Sequence, residues 1–192
     1  MANDDQQESY ERILSAHHGR MIDFVKFAET KNAALLTFTS VWIGSIIGFM
    51  RAQTPLPLGY DTAFLFALPL LCVAALVSLA SLLPRRLHHH HRDDDGAKNL
   101  LFFGDIAQME PRQYGNRVRG RYLPLENVTF TDRYLEDLTV QIAVQAHIAD
   151  RKFKAFNGAA RLVLAAFGVL TVPILKTLAS LGARYAIARG WL

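Results

Sequence analysis

From residue 132 to residue 177 the chain reads as one helix that starts polar and ends apolar. Leu135, Leu138, Ile142, Ala149 and Phe156 recur at alternating steps of three and four, with Gln145 and Lys152 on the rungs that are not apolar. Such spacing gathers one stripe on one side of a helix, where a partner helix covers it. Further along the polar side disappears. Residues 162–175 (LVLAAFGVLTVPIL) carry no charge, and snorkelling Arg161 and Lys176 bring the apolar body to membrane length. Near the other end, Tyr10, Leu14, His17, Met21, Phe24 and Ala28 repeat the same rhythm, widened by Ile13 and Val25. They predict an amphipathic helix that runs straight into an apolar stretch, with His17 packed on its apolar side and not a ligand.

Two further uncharged runs, 33–50 and 62–83, extend roughly 27 and 33 Å as helices, enough for a hydrocarbon layer about 30 Å thick. The polar remainder cannot build a core to bury them. The expected fold is therefore an all-α membrane protein: about three transmembrane helices continuous with amphipathic helices, forming a helical bundle. Its divisions are an amphipathic helix at 1–32, spans at 33–51, 61–84 and 155–177, a helical sensor region at 85–154, and an interfacial tail at 178–192. The first apolar run follows charged, helix-like sequence and precedes no A-x-A site, so it reads as a span and not as a signal peptide.

Charge sets the orientation. Lys and Arg number four in 1–32, one in 51–61 and twelve in 85–154. Positive charge collects on the cytosolic side, so the N-terminus and the middle face the cytosol and the TPLPLGYD loop faces out. The single cysteine, Cys72, falls inside the second span, which argues against disulfides and a thiol catalyst.

Within the first span Ser40, Gly44 and Gly48 stand four residues apart. Small residues so placed let helices approach closely in lipid, within one subunit or between subunits. Pro69 is a candidate kink in the second span. No span carries an ionisable residue at its centre, which leaves a proton relay or a charge-coupled transporter nothing to work with. A weak internal match lays 27–44 over 148–165, so that Ala28, Glu29 and Lys31 fall on Ala149, Asp150 and Lys152.

The polar middle opens with PRRLHHHHRDDDGA, whose adjacent histidines cannot converge on one ion. It reads as a charged linker; no metal and no cofactor are expected. Next, KNLLFFGDIAQME forms an apolar knot, with Gly104 and Asp105 marking a turn or helix start. In PRQYGNRVRGRYLP, Arg112, Arg117, Arg119 and Arg121 stand without one acid, beside Tyr114, Asn116 and Tyr122. Guanidinium groups fork onto phosphate and tyrosine rings offer a face to a base. A small phosphorylated ligand, anionic lipid headgroups and a plain solvated loop all fit that composition. Extended nucleic acid ranks below them, because no recognised nucleic-acid fold surrounds the arginines. Thr131 or Asp132 is expected to cap the long helix.

The order FAETKNAALL, two spans, LLFFGDIA, Tyr114 and YLEDLTVQIAVQAHIADRKFKAFNGAARLV resembles the transmembrane effector of Pycsar antiphage defence (PycTM) over roughly 10–175. The resemblance implies a partner pyrimidine nucleotide cyclase that makes cyclic UMP or cyclic CMP. It also implies an effector in the bacterial inner membrane that impairs membrane integrity and brings about abortive infection. Family residues carried over are Lys31, Phe103, Asp105, Tyr114 and Lys152. The ligand set expected from residues and resemblance together is Arg117, Arg119, Arg121, Tyr114, Asp105 and Lys152, with membrane lipids and further copies in a homo-oligomer as the other partners. The alternative is a membrane anchor or scaffold that recruits a cytosolic partner through its amphipathic helices and needs no ligand. A hydrolase built on His88–His91 and Asp93–Asp95 has no spaced ligand set behind it.

Overall fold

The computed structural model describes residues 2–52, 59–83, 100–122 and 130–189. They form five helices: α1 (Ala2–Arg51), α2 (Tyr60–Leu82), α3 (Phe103–Ile106), α4 (Pro111–Tyr122) and α5 (Phe130–Ala188). The expected all-α class is correct. Three helices are long and apolar enough to cross a bilayer, within Glu8–Arg51, Tyr60–Leu82 and Arg133–Ala188. This is a membrane protein. The linker with His88–His91 and Asp93–Asp95 lies outside the described residues.

Two compact units share the chain: residues 1–27 with 84–151, and residues 28–83 with 152–192. The long helices α1 and α5 contribute to both. In α1 one row of covered positions alternates by three and four, Glu11, Leu14, His18, Met21, Val25, Ala28, Asn32, Leu35, Thr39, Trp42 and Ile46, every one buried or half-buried, with Ile22, Lys31, Leu36 and Ile43 half-buried beside it. In α5 the same alternation runs from Leu135 and Leu138 through Ile142, Gln145, Ala149, Lys152, Phe156, Ala159, Val163, Ala166, Leu170 and Pro173. Steps of three and four average 3.5 residues, the repeat of helices that supercoil left-handedly.

On α1 this corrects the expected stripe. Leu14, Met21 and Ala28 are covered as foreseen, but Tyr10, Ile13 and Phe24 are about half exposed and His17 is exposed. The packed rungs are the adjacent Glu11 and His18, together with Val25, which was expected to widen the stripe. Helix α5 also begins earlier and ends later than expected. It includes Phe130, so Thr131 and Asp132 fall in its first turn, and it passes residue 177 without a break to Ala188.

The span unit holds an apolar core of Ile46 on α1, Ala63, Phe64, Ala67, Leu71 and Ala74 on α2, and Ala159, Val163, Ala166 and Leu170 on α5. Alanine dominates where α2 meets α5, so their backbones come close and dispersion replaces the hydrophobic force that lipid cannot supply. Phe167 of α5 stands edge-on to Trp42 of α1 at 4.9 Å. Ser40, Gly44 and Gly48 face away from this core: all three are exposed, and a Cβ on either glycine meets nothing within 4 Å. Packing within the subunit is therefore not their role. Pro69, also exposed, leaves α2 continuous. Gly59 enters α2 with φ of 84°, a left-handed conformation that glycine adopts without strain, and the Thr62 hydroxyl donates to its carbonyl at 2.8 Å.

Candidate functional site

The arginine stretch folds as α4, a helix of 12 residues, and not as a loop. Pro111 supplies a fixed φ at the first helical position, and the Tyr114 amide donates to the Glu110 carbonyl at 2.9 Å to close the first turn. Tyr114, Val118, Arg121 and Tyr122 form its covered side. The Tyr114 hydroxyl donates to the Leu100 carbonyl at 3.3 Å, tying the apolar knot to α4. Asp105 sits half-buried in the single turn of α3, where Phe103 also lies.

The helical form decides which arginines can act together. At about 100° per residue, Arg117 and Arg121 lie roughly 40° apart, whereas Arg119 lies roughly 160° from both and shares a side with Arg112. Three guanidiniums on one phosphate, as the linear sequence suggests, are not what this helix presents. Arg121 has in any case a protein partner. Its Nε and Nη2 donate to the two carboxylate oxygens of Asp137 on α5, each at 2.8 Å. Asp137 is 1% exposed, and the Tyr122 hydroxyl donates a short hydrogen bond to the same carboxylate. The Tyr122 ring stands edge-on to Tyr134 at 6.0 Å. Burial first, and the Asp137 carboxylate second, raise the Tyr122 phenol well above its ordinary range. Arg117 and Arg119 are exposed, and among the described residues no acid pairs with either.

Sequence reasoning missed Asp137 and its neighbour Gln141, which is 3% exposed. The signal was there: two polar residues four apart beside Leu138, close to a segment whose arginines have no acid of their own.

A second polar cluster belongs to the span unit. Lys152 Nζ donates to the Ser81 carbonyl at 2.9 Å and pairs with Glu29 at 3.0 Å. Asn32, fully buried, donates from Nδ2 to the carbonyls of Ala28 at 2.9 Å and Lys152 at 3.1 Å. One lysine thus joins α1, α2 and α5. Its ammonium meets the negative end of α2, where the last carbonyls have no helical partner. Lys31 lies over the Phe156 ring at 5.2 Å. Asn32 Oδ1, Ser78 Oγ and Ser81 Oγ are buried in the same three-helix unit with no hydrogen-bond partner among the described residues. Lys152 is therefore committed to a clip of its own, in a different unit from Asp105, Tyr114 and the arginines.

Among the described residues no group of histidine, cysteine and acidic side chains could hold a metal ion. The chemistry on offer is ionic and hydrogen-bonding: an arginine-rich helix held by a buried carboxylate, and a lysine clip at one end of a span bundle.

Comparison with known proteins agrees with this picture. The model of the PycTM family, described as the Pycsar effector protein domain, matches residues 13–179. The Pycsar effector protein RsPycTM of a Rhizobium species is 52% identical over 160 residues, which cover 83% of this chain and 91% of that protein. No solved structure matches. With the family model spanning both polar clusters and all three candidate spans, the chain belongs to the Pycsar effector family PycTM, as an antiphage defence effector carried in a membrane.

Proposed function

We propose that this effector responds to a cyclic pyrimidine monophosphate, cyclic UMP or cyclic CMP, made by a partner cyclase, and that it then impairs the inner membrane. It acts as a ligand-gated membrane device and not as an enzyme. The observation that carries the reading is α4: Arg117 and Arg119, with which no acid among the described residues pairs, presented on a helix beside Tyr114 and anchored by the Arg121–Asp137 pair. One phosphate charge needs one or two guanidiniums. Arg117 is the first candidate, since it lies on the Tyr114 side of the helix. Arg119 pairs in direction with Arg112 and suits lipid headgroups equally well. The Lys152 clip is where the response would reach the spans. In this reading the N-terminus and residues 85–154 are cytosolic, in line with the lysine and arginine asymmetry.

Calorimetric titration of the detergent-solubilised chain with each nucleotide tests the ligand. Arg117→Ala should weaken binding about tenfold to a hundredfold, the worth of one charge-assisted hydrogen bond. Arg117→Lys should not rescue it, because a lysine cannot fork onto phosphate. No heat with either nucleotide, from a sample of normal size and solubility, overturns the proposal and favours the ligand-free anchor. A reporter fused after Gly96 tests the orientation and should be active only in its cytosolic form.

A further inference from the structure

Helix α5 outruns the bundle it belongs to. Gly59, Thr62, Ala63 and Phe66 at the start of α2 line one cleft with Val172, Pro173 and Lys176 of α5. Lys176 is therefore level with this end of α2, and the helix from Thr177 to Ala188 continues about 18 Å past it. Leu178, Leu181 and Tyr185 on this extension are 59%, 55% and 55% exposed. On a helical projection they share one side with Ile174 and with Arg189; Lys176 and Ser180 lie on the far side with Ile187 between them, and Arg184 stands on the flank, roughly 90° from the middle of the apolar stripe. Arg189 lies over the Tyr185 ring at 5.0 Å. A helix with an exposed apolar face and a strip of Lys176, Ser180 and Arg184 beside it is built for the boundary between hydrocarbon and headgroups.

The backbone at its root permits the turn that such a position requires. Pro173 has no amide hydrogen, so the Val169 carbonyl loses its helical donor. Thr171 donates to the Gly168 carbonyl at 2.7 Å and Thr177 to the Pro173 carbonyl at 2.8 Å. Proline together with hydroxyls bonded back to the ladder is a recognised cause of helix bending.

We infer that residues 174–189 form a docking surface for anionic phospholipid headgroups, with Ile174, Leu178, Leu181 and Tyr185 in the acyl boundary and Lys176 and Arg184 among the phosphates. Charge complementarity and direct continuity with a membrane span select a lipid surface over any protein partner. This inference stands whether or not a nucleotide binds the other unit.

The test uses the full chain with Cys72→Ala, reconstituted in vesicles of phosphatidylcholine alone or mixed with phosphatidylglycerol. Single changes Leu178→Cys, Ser180→Cys, Leu181→Cys, Ala183→Cys and Tyr185→Cys each carry an environment-sensitive nitrobenzoxadiazole label. Labels at 178, 181 and 185 should report a dry environment and those at 180 and 183 a wet one, more sharply with phosphatidylglycerol. Lys176→Gln and Arg184→Gln should each lower the ratio of docked to detached extension about fivefold in the anionic vesicles. Five wet labels would mean that the extension projects into water or onto protein, and five dry ones that it lies within the bilayer; either overturns the inference. So does an alternating pattern of equal strength in both lipids.

Discussion

Replacing Arg121 by alanine strips the Asp137 carboxylate, 2% exposed in its side chain, of both guanidinium hydrogen bonds while Tyr122 still donates to it. Breaking a buried pair from one end costs about 3–5 kcal/mol, because the surviving charge can neither be hydrated nor neutralised. Arg121 itself is 17% exposed and can turn towards water, so Asp137→Asn should cost less, about 1–3 kcal/mol. Combining Arg121→Met, Tyr122→Phe and Asp137→Leu removes these polar groups together and should return most of the stability. Hydrogen exchange of the α4 amides in the detergent-solubilised chain reads these differences directly. A loss of about 3 kcal/mol speeds exchange through opening by roughly 150-fold. Unchanged α4 protection in Arg121→Ala would refute the reasoning, since the ion pair would then contribute nothing to holding the helix. The triple variant also separates two roles for Arg121. If it keeps its protection and still titrates with the nucleotide, Arg121 is structural alone; if it keeps its protection and loses the heat, Arg121 also meets the ligand.

Lys152→Met should destabilise the span unit by about 1.5–3 kcal/mol, mostly through the lost bond to the Ser81 carbonyl, seen as faster exchange at the end of α2. Glu29→Gln should cost under about 1 kcal/mol, because Glu29 is 47% exposed and its pairing is screened. Gly44→Leu with Gly48→Leu should leave the fold of one chain intact, as the added side chains start in open space; a smaller assembly by light scattering would place the stripe between copies, and an unchanged one would place it against lipid. Tyr122, whose folded phenol is raised above an ordinary value of 10.0, stabilises the fold fully below an unfolded value of about 10. That contribution should drain away as the pH climbs from there towards the folded value, with tyrosinate absorbance from Tyr122 appearing only well above the ordinary value.

Where the sequence was readable, one physical rule was at work. The α5 stripe was legible because apolar residues occupy most of its rungs, and Gln145 and Lys152 interrupt it only singly. On α1 the same rule misled by one residue. At 10/11 and 17/18 the first member of each pair fits an apolar stripe as well as or better than the second, yet the covered rungs are Glu11 and His18; at 24/25 both were in the expected stripe and Val25 alone is covered. Pattern reading favours the greasier residue, and in a chain that meets lipid the greasier residue need not face protein. Within the region expected to be helical, Gly115 and Gly120 lower helix propensity and left a solvated loop open for the arginine stretch; docking of Tyr122 and Arg121 on α5 outweighs them. Asp137 was hidden for another reason: an acid beside an apolar stripe looks like ordinary helix surface until its arginine is known. The clip was half visible, since the alignment of Lys31 with Lys152 marked the right level of the chain but not the buried Asn32.

The alanine seam bears on where a leak would form under the proposed impairment of the membrane. Ala67, Leu71, Ala74, Ala159 and Ala166 are each 0% exposed and close the interior of the span unit to water. Along this seam the described residues offer ions no polar lining. On that proposal permeation would arise between copies or in lipid disordered around them, and a leak between copies should rise more steeply than linearly with the number of molecules per area of bilayer.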